Sequence, residues 1–419
     1  MPAILGGGLA ALLVIGLPIG VAIALCSMAG LYFFTDVPLT MAAQQMISGM
    51  RSFPLLAIPL FVLAGSIMNA GGITRRLIDF ATALVGQMRG GLAAVNIVTN
   101  MIFGGVSGSA VADASSVGRL MIPQMLRRKY TPGFSASVTA IGSTVALILP
   151  PSITLIIYGV TAQASIADLF FQGIFFGLGF GLVYIITGYV IARVKKLPAE
   201  ERVSTGVMFR SFRDALLALT LPVIVLGGIR IGAFTATEGG AVAVAVALIL
   251  GGVVYRELTV KRIIKALRES AILVATIMLI IATAKIYSLA LVMGGVADQI
   301  ASSVLGVTTN TLLILLLVNI LLLLVGTVVE GNAAIIIFTP ILLPIVTAVG
   351  VDPVHFGLIV VVNLAIGLVT PPAGICILIT SKIAGIQLEH TLRDLVPWLS
   401  VAIASLMVVT YGPLLVGMY

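Results

Sequence analysis

The most conspicuous shortage in this sequence is of charge. Only 9% of its 419 residues are Asp, Glu, Lys or Arg, whereas soluble domains usually carry about 25%. Hydrophobic residues make up 60% of the chain and the mean hydropathy is +1.23. These values exclude an ordinary soluble protein and predict a polytopic membrane protein. The apolar runs are continuous rather than alternating, which favours membrane helices over a β-barrel.

Cysteine and histidine are also scarce, with two of each. Cys26 and Cys376 both lie in apolar segments, so they predict neither a disulfide framework nor a metal cluster. The sequence contains no GxxxxGK[ST] phosphate-binding loop and no recognisable nucleophile–base pair. We therefore predict that the chain is not an enzyme and needs no organic cofactor.

Several apolar runs are long enough to cross a bilayer, which takes roughly 20 residues. They include residues 4–34, 169–192, 272–293 and 396–417. The first run lacks a basic leader and is too long for the core of a signal peptide. We predict that residues 4–34 form the first membrane helix.

The net charge of +8 could indicate a nucleic-acid partner, but most basic residues lie in short groups between apolar runs. That distribution is typical of cytoplasmic loops in membrane proteins. The groups are Arg75, Arg76 and Arg89; Arg127, Arg128 and Lys129; residues 193–213; and residues 256–268, with Arg393 alone near the end. Their placement predicts no nucleic-acid partner, a cytoplasmic N-terminus and a periplasmic C-terminus.

The chain contains an internal repeat that appears on shifting the sequence by 221 positions. Pro123 then falls on Pro344, Pro132 on Pro353, and Gly105 on Gly326. The pair Pro150-Pro151 falls on Pro371-Pro372. Because prolines and a glycine coincide at all of these positions, the sequence predicts two structurally equivalent units.

The two units are predicted to have opposite orientations in the membrane. If a polar stretch near Gly104 is the tip of a re-entrant hairpin, five crossings separate it from its counterpart near Gly326, and five is odd. Basic residues flank only the first hairpin, which agrees with entry from opposite faces. Inverted repeats are typical of secondary transporters.

Four places should interrupt the helices, two in each unit. The hairpin tips are residues 104–110 and 326–332, and the broken helices centre on residues 143–152 and 367–374. Proline frees backbone carbonyls, which suit a small hard cation such as sodium, and half-helix N-termini suit a carboxylate. A simple kink at each Pro-Pro pair, or a close helix contact at each Gly/Ser cluster, is the alternative reading.

Ionisable residues within apolar segments are candidates for function. Asp113 follows the first tip and Glu330 lies in the second, where each could line a cavity or form structural hydrogen bonds. Lys285 lies in the run 272–293, where a buried salt bridge or a subunit contact is at least as plausible as a substrate role.

At these motifs the sequence resembles the large membrane subunit (DctM-like) of tripartite ATP-independent periplasmic transporters, the TRAP family. The matching stretches are GGVSGSAVADASSVGRLMIPQM, ILPPSITLIIYG, TATEGGAVAV, FTPILLPI, GVDPVHFG and GLVTPPAG. The resemblance implies an all-α, elevator-type importer coupled to sodium ions, moving a C4-dicarboxylate or a sugar acid such as sialate. It also implies two partners, a small four-helix DctQ-like membrane subunit and a DctP-like periplasmic binding protein, and a location in the bacterial inner membrane.

The resemblance further implies site residues. One sodium site would use carbonyls near Gly326, Gly367, Thr370 and Ala373. Its repeat-related partner would use Gly105, Ala146, Leu149 and Ser152, with Ser107 and Ser109 close by. The substrate is expected between the tips, at Ser107, Asp113, Glu330 and Asn332. Many relatives have an aspartate after GMF in the second hairpin, where this chain has GTVVEGN.

The predicted organisation has five parts. They are a scaffold segment (1–91), the first transport repeat (92–192), a cytoplasmic loop with scaffold helices (193–308), the second transport repeat (309–392) and a C-terminal membrane helix (393–419). A stand-alone citrate- or gluconate-type permease, which needs no binding protein, is the alternative function, and a channel is a further one.

Overall fold

The computed structural model describes residues 1–87, 90–197 and 205–415. Arg89 and the centre of the predicted cytoplasmic loop, including Arg202, lie outside the described residues. The described residues are helical with no strand, which confirms the all-α prediction. In chain order the helices are α1 (Ala3–Val14), α2 (Ile19–Phe34), α3 (Leu39–Met50), α4 (Ala57–Ala70), α5 (Ile73–Val85), α6 (Gly91–Ser107), α7 (Ala110–Arg127), α8 (Pro132–Ile148), α9 (Ile153–Ala162), α10 (Ile166–Val194), α11 (Thr205–Arg230), α12 (Ala236–Leu248), α13 (Val260–Met293), α14 (Val296–Val307), α15 (Thr311–Gly326), α16 (Gly331–Ala348), α17 (Pro353–Gly367), α18 (Ile375–Ala384) and α19 (Leu388–Leu415).

Among the described residues, seven helical segments are long and apolar enough to cross a bilayer. An eighth span results if α8 and α9, which meet at an angle of 42°, count together. The helices α6, α15, α17 and α18 are apolar but shorter. This pattern of long spans with paired short helices confirms a polytopic membrane protein.

The prediction of one helix over residues 4–34 is wrong. The run divides into α1 and α2, because Gly16 adopts a left-handed φ of +89° and Pro18 begins a new helix. The two helices are antiparallel, since Leu5 faces Gly30 and Gly8 faces the Cys26 sulfur. Met1 consequently lies beside Gly294, just after the end of α13.

The two broken helices run in opposite directions. Tyr158, near the end of α9, donates a 2.6 Å hydrogen bond to the carbonyl of Pro353 at the start of α17. Ser137, near the start of α8, donates to the carbonyl of Thr391, just beyond α18. The start of each broken helix is therefore level with the end of the other, as inverted repeats require.

The centre of the core is formed by the first halves of these broken helices. All residues from Gly133 to Ile148 of α8 are buried, as are those from His355 to Gly367 of α17. Lipid-facing helices such as α10 are far more exposed. The helix interruptions thus lie in the most buried part of the molecule. Non-helical backbone is tolerated at membrane depth when it is buried in protein in this way.

Candidate functional site

The first hairpin turns between α6 and α7 at Gly108 and Ser109. Gly108 has a φ of +60°, and a Cβ there would lie 2.9 Å from the backbone nitrogen of Ile153. Both the conformation and the space therefore require glycine. Ser109 begins α7 by accepting a hydrogen bond from the backbone N–H of Ala112. The first tip consequently lies against the start of α9.

The first helix break follows from Pro150 and Pro151, which have no N–H to donate to the carbonyls of Ala146 and Leu147. The Ser152 hydroxyl replaces one lost bond by donating to the Leu147 carbonyl at 2.6 Å. A Cβ on Gly105 would lie 3.6 Å from the Pro150 carbonyl oxygen. The sequence-predicted residues Gly105, Ala146, Leu149 and Ser152 are therefore brought together around this break.

The second break reproduces this arrangement at the repeat-related positions. A Cβ on Gly367 would lie 2.5 Å from the carbonyl carbon of Gly326, so the two backbones touch. The Gly367 carbonyl accepts the Thr370 N–H at 3.0 Å, and the Thr370 carbonyl accepts the Gly374 N–H at 3.2 Å. A carbonyl oxygen has two lone pairs, so each can still coordinate an ion. Ala373 lies in the same turn and is half-buried.

Asp113 is completely buried behind the first tip. Its Oδ1 accepts a hydrogen bond of 2.5 Å from the Ser107 hydroxyl, and the Ser109 N–H donates to the same hydroxyl at 3.1 Å. Among the described residues, Oδ2 of Asp113 has no hydrogen-bond partner. Asp113 therefore holds the tip through Ser107 and keeps one oxygen available.

Glu330 begins α16 as its capping residue. Its carboxylate accepts the N–H of Ala333 at 3.2 Å and the side-chain amide of Asn332 at 2.9 Å. Glu330 and Asn332 are both half-buried. The structure thus supports a structural role for Glu330, because each of its carboxylate oxygens accepts a hydrogen bond.

A contact that sequence reasoning missed joins the two repeats. The hydroxyl of Thr154 donates to Oδ1 of Asn332 at 3.2 Å. Thr154 follows Ile153, the residue of α9 that the first tip contacts. Both tips therefore meet at the start of α9. No direct bond between the Ser107–Asp113 pair and the Glu330–Asn332 pair is found in the described part of the chain; each pair is assembled within its own tip.

Buried asparagines fasten each hairpin to its broken helix, and these too were missed. Asn96 of α6 donates to Thr139 of α8 at 2.7 Å. In the second repeat Asn363 of α17 donates to Asn319 of α15 at 2.7 Å, and Asn319 donates to Thr410 of α19. Lone asparagines within runs such as LLLVNILLLL were the available signal, because polar residues in membrane helices usually bond across an interface.

The chain matches the family model described as tripartite ATP-independent periplasmic transporter, DctM component, over residues 7–415. It is 40% identical over 98% of its length to the isethionate TRAP transporter permease DctMQ of Oleidesulfovibrio alaskensis, of which it spans 65%. It is 40% identical over 86% of its length to the C4-dicarboxylate large permease DctM of Pseudomonas aeruginosa, covering 84% of that protein. It is 37% identical over 93% of its length to the sialic acid large permease SiaM of Vibrio cholerae, covering 91%.

The structure is also similar to the YdaH transporter of Alcanivorax borkumensis, whose crystal structure is described as having an unusual topology. The TM-score is 0.64 with 13% sequence identity, covering 89% of this chain and 88% of YdaH. At that identity the likeness shows a shared fold alone.

Proposed function

Because the chain belongs to the DctM component family of TRAP transporters, as its motifs predicted, we propose that it imports a carboxylate-bearing organic anion, driven by sodium entry. The family consists of transporter permeases, which confirms the prediction that the chain is not an enzyme.

The observation that supports sodium coupling is that each hairpin contacts the helix break of its own repeat. Gly326 touches Gly367 in one repeat, and Gly104 touches Ala146, the residue related to Gly367, in the other. Backbone atoms and the apolar side chains of Ala146 and Leu364 form these contacts, so backbone carbonyl oxygens dominate the local polarity. Oxygen-only sites of this kind suit a hard monovalent cation. We assign one sodium site to each contact.

The substrate class rests on the polar groups of the two tips. The N-termini of α7 and α16 present the positive ends of their helix dipoles beside Ser107 and Asn332, an arrangement that favours an anionic group. Similar permeases are named for C4-dicarboxylates, sialic acid and 2,3-diketo-L-gulonate. The isethionate permease is named for a sulfonate, so sulfonates belong in any substrate screen.

Two partners are part of the proposal. The chain spans 65% of the DctMQ relative, whose name joins M and Q components. We propose that a small DctQ-like membrane subunit works together with this chain. A periplasmic binding protein would deliver the substrate. The bacterial inner membrane is the proposed location, with the end of α19 in the periplasm.

The prediction of a cytoplasmic N-terminus is not retained in this proposal. It assumed one helix over residues 4–34, whereas α1 and α2 return the chain to the side from which it started. Met1 lies beside Gly294, and the basic residues at the start of α13 support a periplasmic location for the other end of that helix. We therefore place the N-terminus in the periplasm.

An elevator movement is compatible with the packing between the two parts. A cavity of about 360 Å³ separates the scaffold helices from the first transport repeat. Phe61, Met68 and Leu221 line one side, while Met101, Gly105 and Leu149 line the other. This part of the boundary is almost wholly apolar, so it carries few hydrogen bonds that sliding would have to break.

The test is uptake into liposomes of defined composition. Three preparations are compared: the chain alone, the chain with its small subunit, and the chain with its small subunit and the binding protein. Each is measured with and without an inward sodium gradient. We expect concentrative uptake only with all components and sodium. Uptake by the chain alone would favour a stand-alone permease, and purely downhill flux would indicate a channel.

A further inference from the structure

Lys285 lies inside the membrane region without the salt bridge that the sequence suggested. It is half-buried in α13, eight residues before the helix ends at Met293, or about 12 Å at 1.5 Å per residue. In the described ranges no carboxylate pairs with its ammonium; the ion pairs found there involve other residues. An unpaired cation at this depth is costly unless it faces water or a ligand.

The local backbone makes room for this lysine. Gly49 of α3 is buried against the side chain, and a Cβ at that position would overlap Cγ of Lys285. The methylene stem therefore lies against α3, leaving the ammonium free to extend beyond it. The absence of a side chain at Gly49 therefore allows the Lys285 side chain to pack against α3.

Lys285 lines two adjoining cavities. The outer one, of about 400 Å³, is lined by polar groups of α3, of the segment that follows it and of the turn after α9, among them Gln45, Ser48, Ser52 and Gln163. The inner one, of about 90 Å³, adds Thr161 and Ser288. Lys285 and Val160 line both. The described residues that line the two cavities include hydroxyl and amide groups but no acid, so the chamber is suited to an anion.

The inner cavity leads towards the hairpin tips. It is bounded by Ile157 and Ile336, each about one helical turn beyond a member of the Thr154–Asn332 hydrogen bond. The helices α9 and α16, which carry these residues, pack together along this line. The cavity thus ends about one turn from the polar groups assigned to the substrate.

We propose that the Lys285 chamber is an outer binding site, in which the carboxylate of the incoming anion pairs with the ammonium before it reaches the tips. The identity of the anion in this inference rests on the proposed function. The attraction of anions to the chamber does not depend on it. Under the proposed domain division, Lys285 and α3 belong to the scaffold and α9 and α16 to the transport repeats. The site would therefore bridge the two parts, and movement between them would release the anion.

The chamber can be tested without transport, by cysteine labelling of the full-length chain in phosphatidylcholine nanodiscs. Cys26 and Cys376 are both buried and are replaced by alanine. Ser48→Cys then introduces a reporter thiol in the outer cavity. Labelling rates are measured with the anionic reagent MTSES and the cationic reagent MTSET, and their ratio is compared between the parent with Lys285 and the variants Lys285→Gln and Lys285→Arg.

We expect Lys285→Gln to lower the MTSES/MTSET ratio at the Ser48→Cys reporter by about fivefold to tenfold, as loss of a focused charge should, while Lys285→Arg retains it. Ser302→Cys, on the exposed face of α14 and outside both cavities, is the matched control and should not respond. An unchanged ratio at the outer-cavity reporter, or an equal change at the Ser302→Cys control, would overturn the proposal.

Two further arms define the anion. Replacing chloride by acetate at equal ionic strength should slow MTSES labelling when Lys285 is present; no slowing would contradict carboxylate binding. Adding phosphatidylglycerol gives the membrane a negative surface potential, which should lower the ratio at the Ser48→Cys and Ser302→Cys reporters alike. An additional fall at the Ser48→Cys reporter alone, to the Lys285→Gln value, would assign the site to a lipid phosphate instead. If labelling behaves as expected while liposomes show no sodium-driven uptake, only the proposed function fails.

Discussion

The hydroxyl of Thr154 and the amide oxygen of Asn332 are 3.2 Å apart, and their hydrogen bond connects the broken helix of one repeat to the hairpin tip of the other. Asn332 in turn donates to Glu330, so the second tip is held by a short polar chain that begins in the first repeat. The second tip is thereby joined directly to the broken helix of the first repeat.

Replacing Thr154 by valine keeps the shape of the side chain and removes this bond. A net hydrogen bond contributes about 0.5–1.5 kcal/mol, so we expect uptake at limiting substrate to fall about twofold to tenfold. Thr347→Val is the matched control, because Thr347 is exposed and bonds only within its own helix. Equal uptake by the two variants would show that the Thr154–Asn332 bond has no role.

Glycine at position 367 should be indispensable for packing. Gly367→Ala would place a Cβ 2.5 Å from the Gly326 backbone, and such overpacking typically costs about 1–3 kcal/mol. We expect a lower melting temperature in detergent and weaker sodium-dependent uptake. Gly179→Ala, in α10 with open space around the position, should be neutral or slightly stabilising. A melting temperature unchanged by Gly367→Ala would show that the backbones can separate at no cost.

The bond between Asn319 and Asn363 should show energetic coupling. Both side chains are completely buried and their bond measures 2.7 Å. In a double-mutant cycle with alanine at each position, we expect a coupling free energy of about 0.6–1.7 kcal/mol, the range found for hydrogen bonds between membrane helices. Reversible unfolding in mixed detergent supplies the measurement. Strictly additive effects would mean that the two amides do not support one another.

Much of the local structure was predictable because its causes are local. Pro150-Pro151 and Pro371-Pro372 interrupt helices wherever they occur, and both breaks lie where the repeat placed them. Gly108 supplies the left-handed turn of the first tip. The opposite orientation of the repeats followed from counting spans, and the bonds from Tyr158 and Ser137 agree with it.

Other features depended on long-range packing. The Thr154–Asn332 bond joins residues 178 positions apart, and no spacing rule connects them. The sequence left a buried salt bridge, a subunit contact and a substrate role open for Lys285. In the structure its neighbours are Gly49 and two cavities lined by separate helices. The division of residues 4–34 into two helices has a local cause, because Gly16 and Pro18 interrupt the run. The prediction of one helix relied on the overall hydrophobicity of the run and did not use these two residues.

The most direct test of the central claim, that the two tip–break contacts bind sodium, is the sodium dependence of uptake in the complete liposome system. Thr370→Val and Ser107→Ala are compared with Thr347→Val and Ser400→Ala, which alter exposed residues. We predict that both site variants raise the half-saturating sodium concentration by about fivefold, as loss of roughly 1 kcal/mol requires, while both controls match the parent protein. Sodium dependence that is identical in all five proteins would contradict the assignment of these contacts as sodium sites.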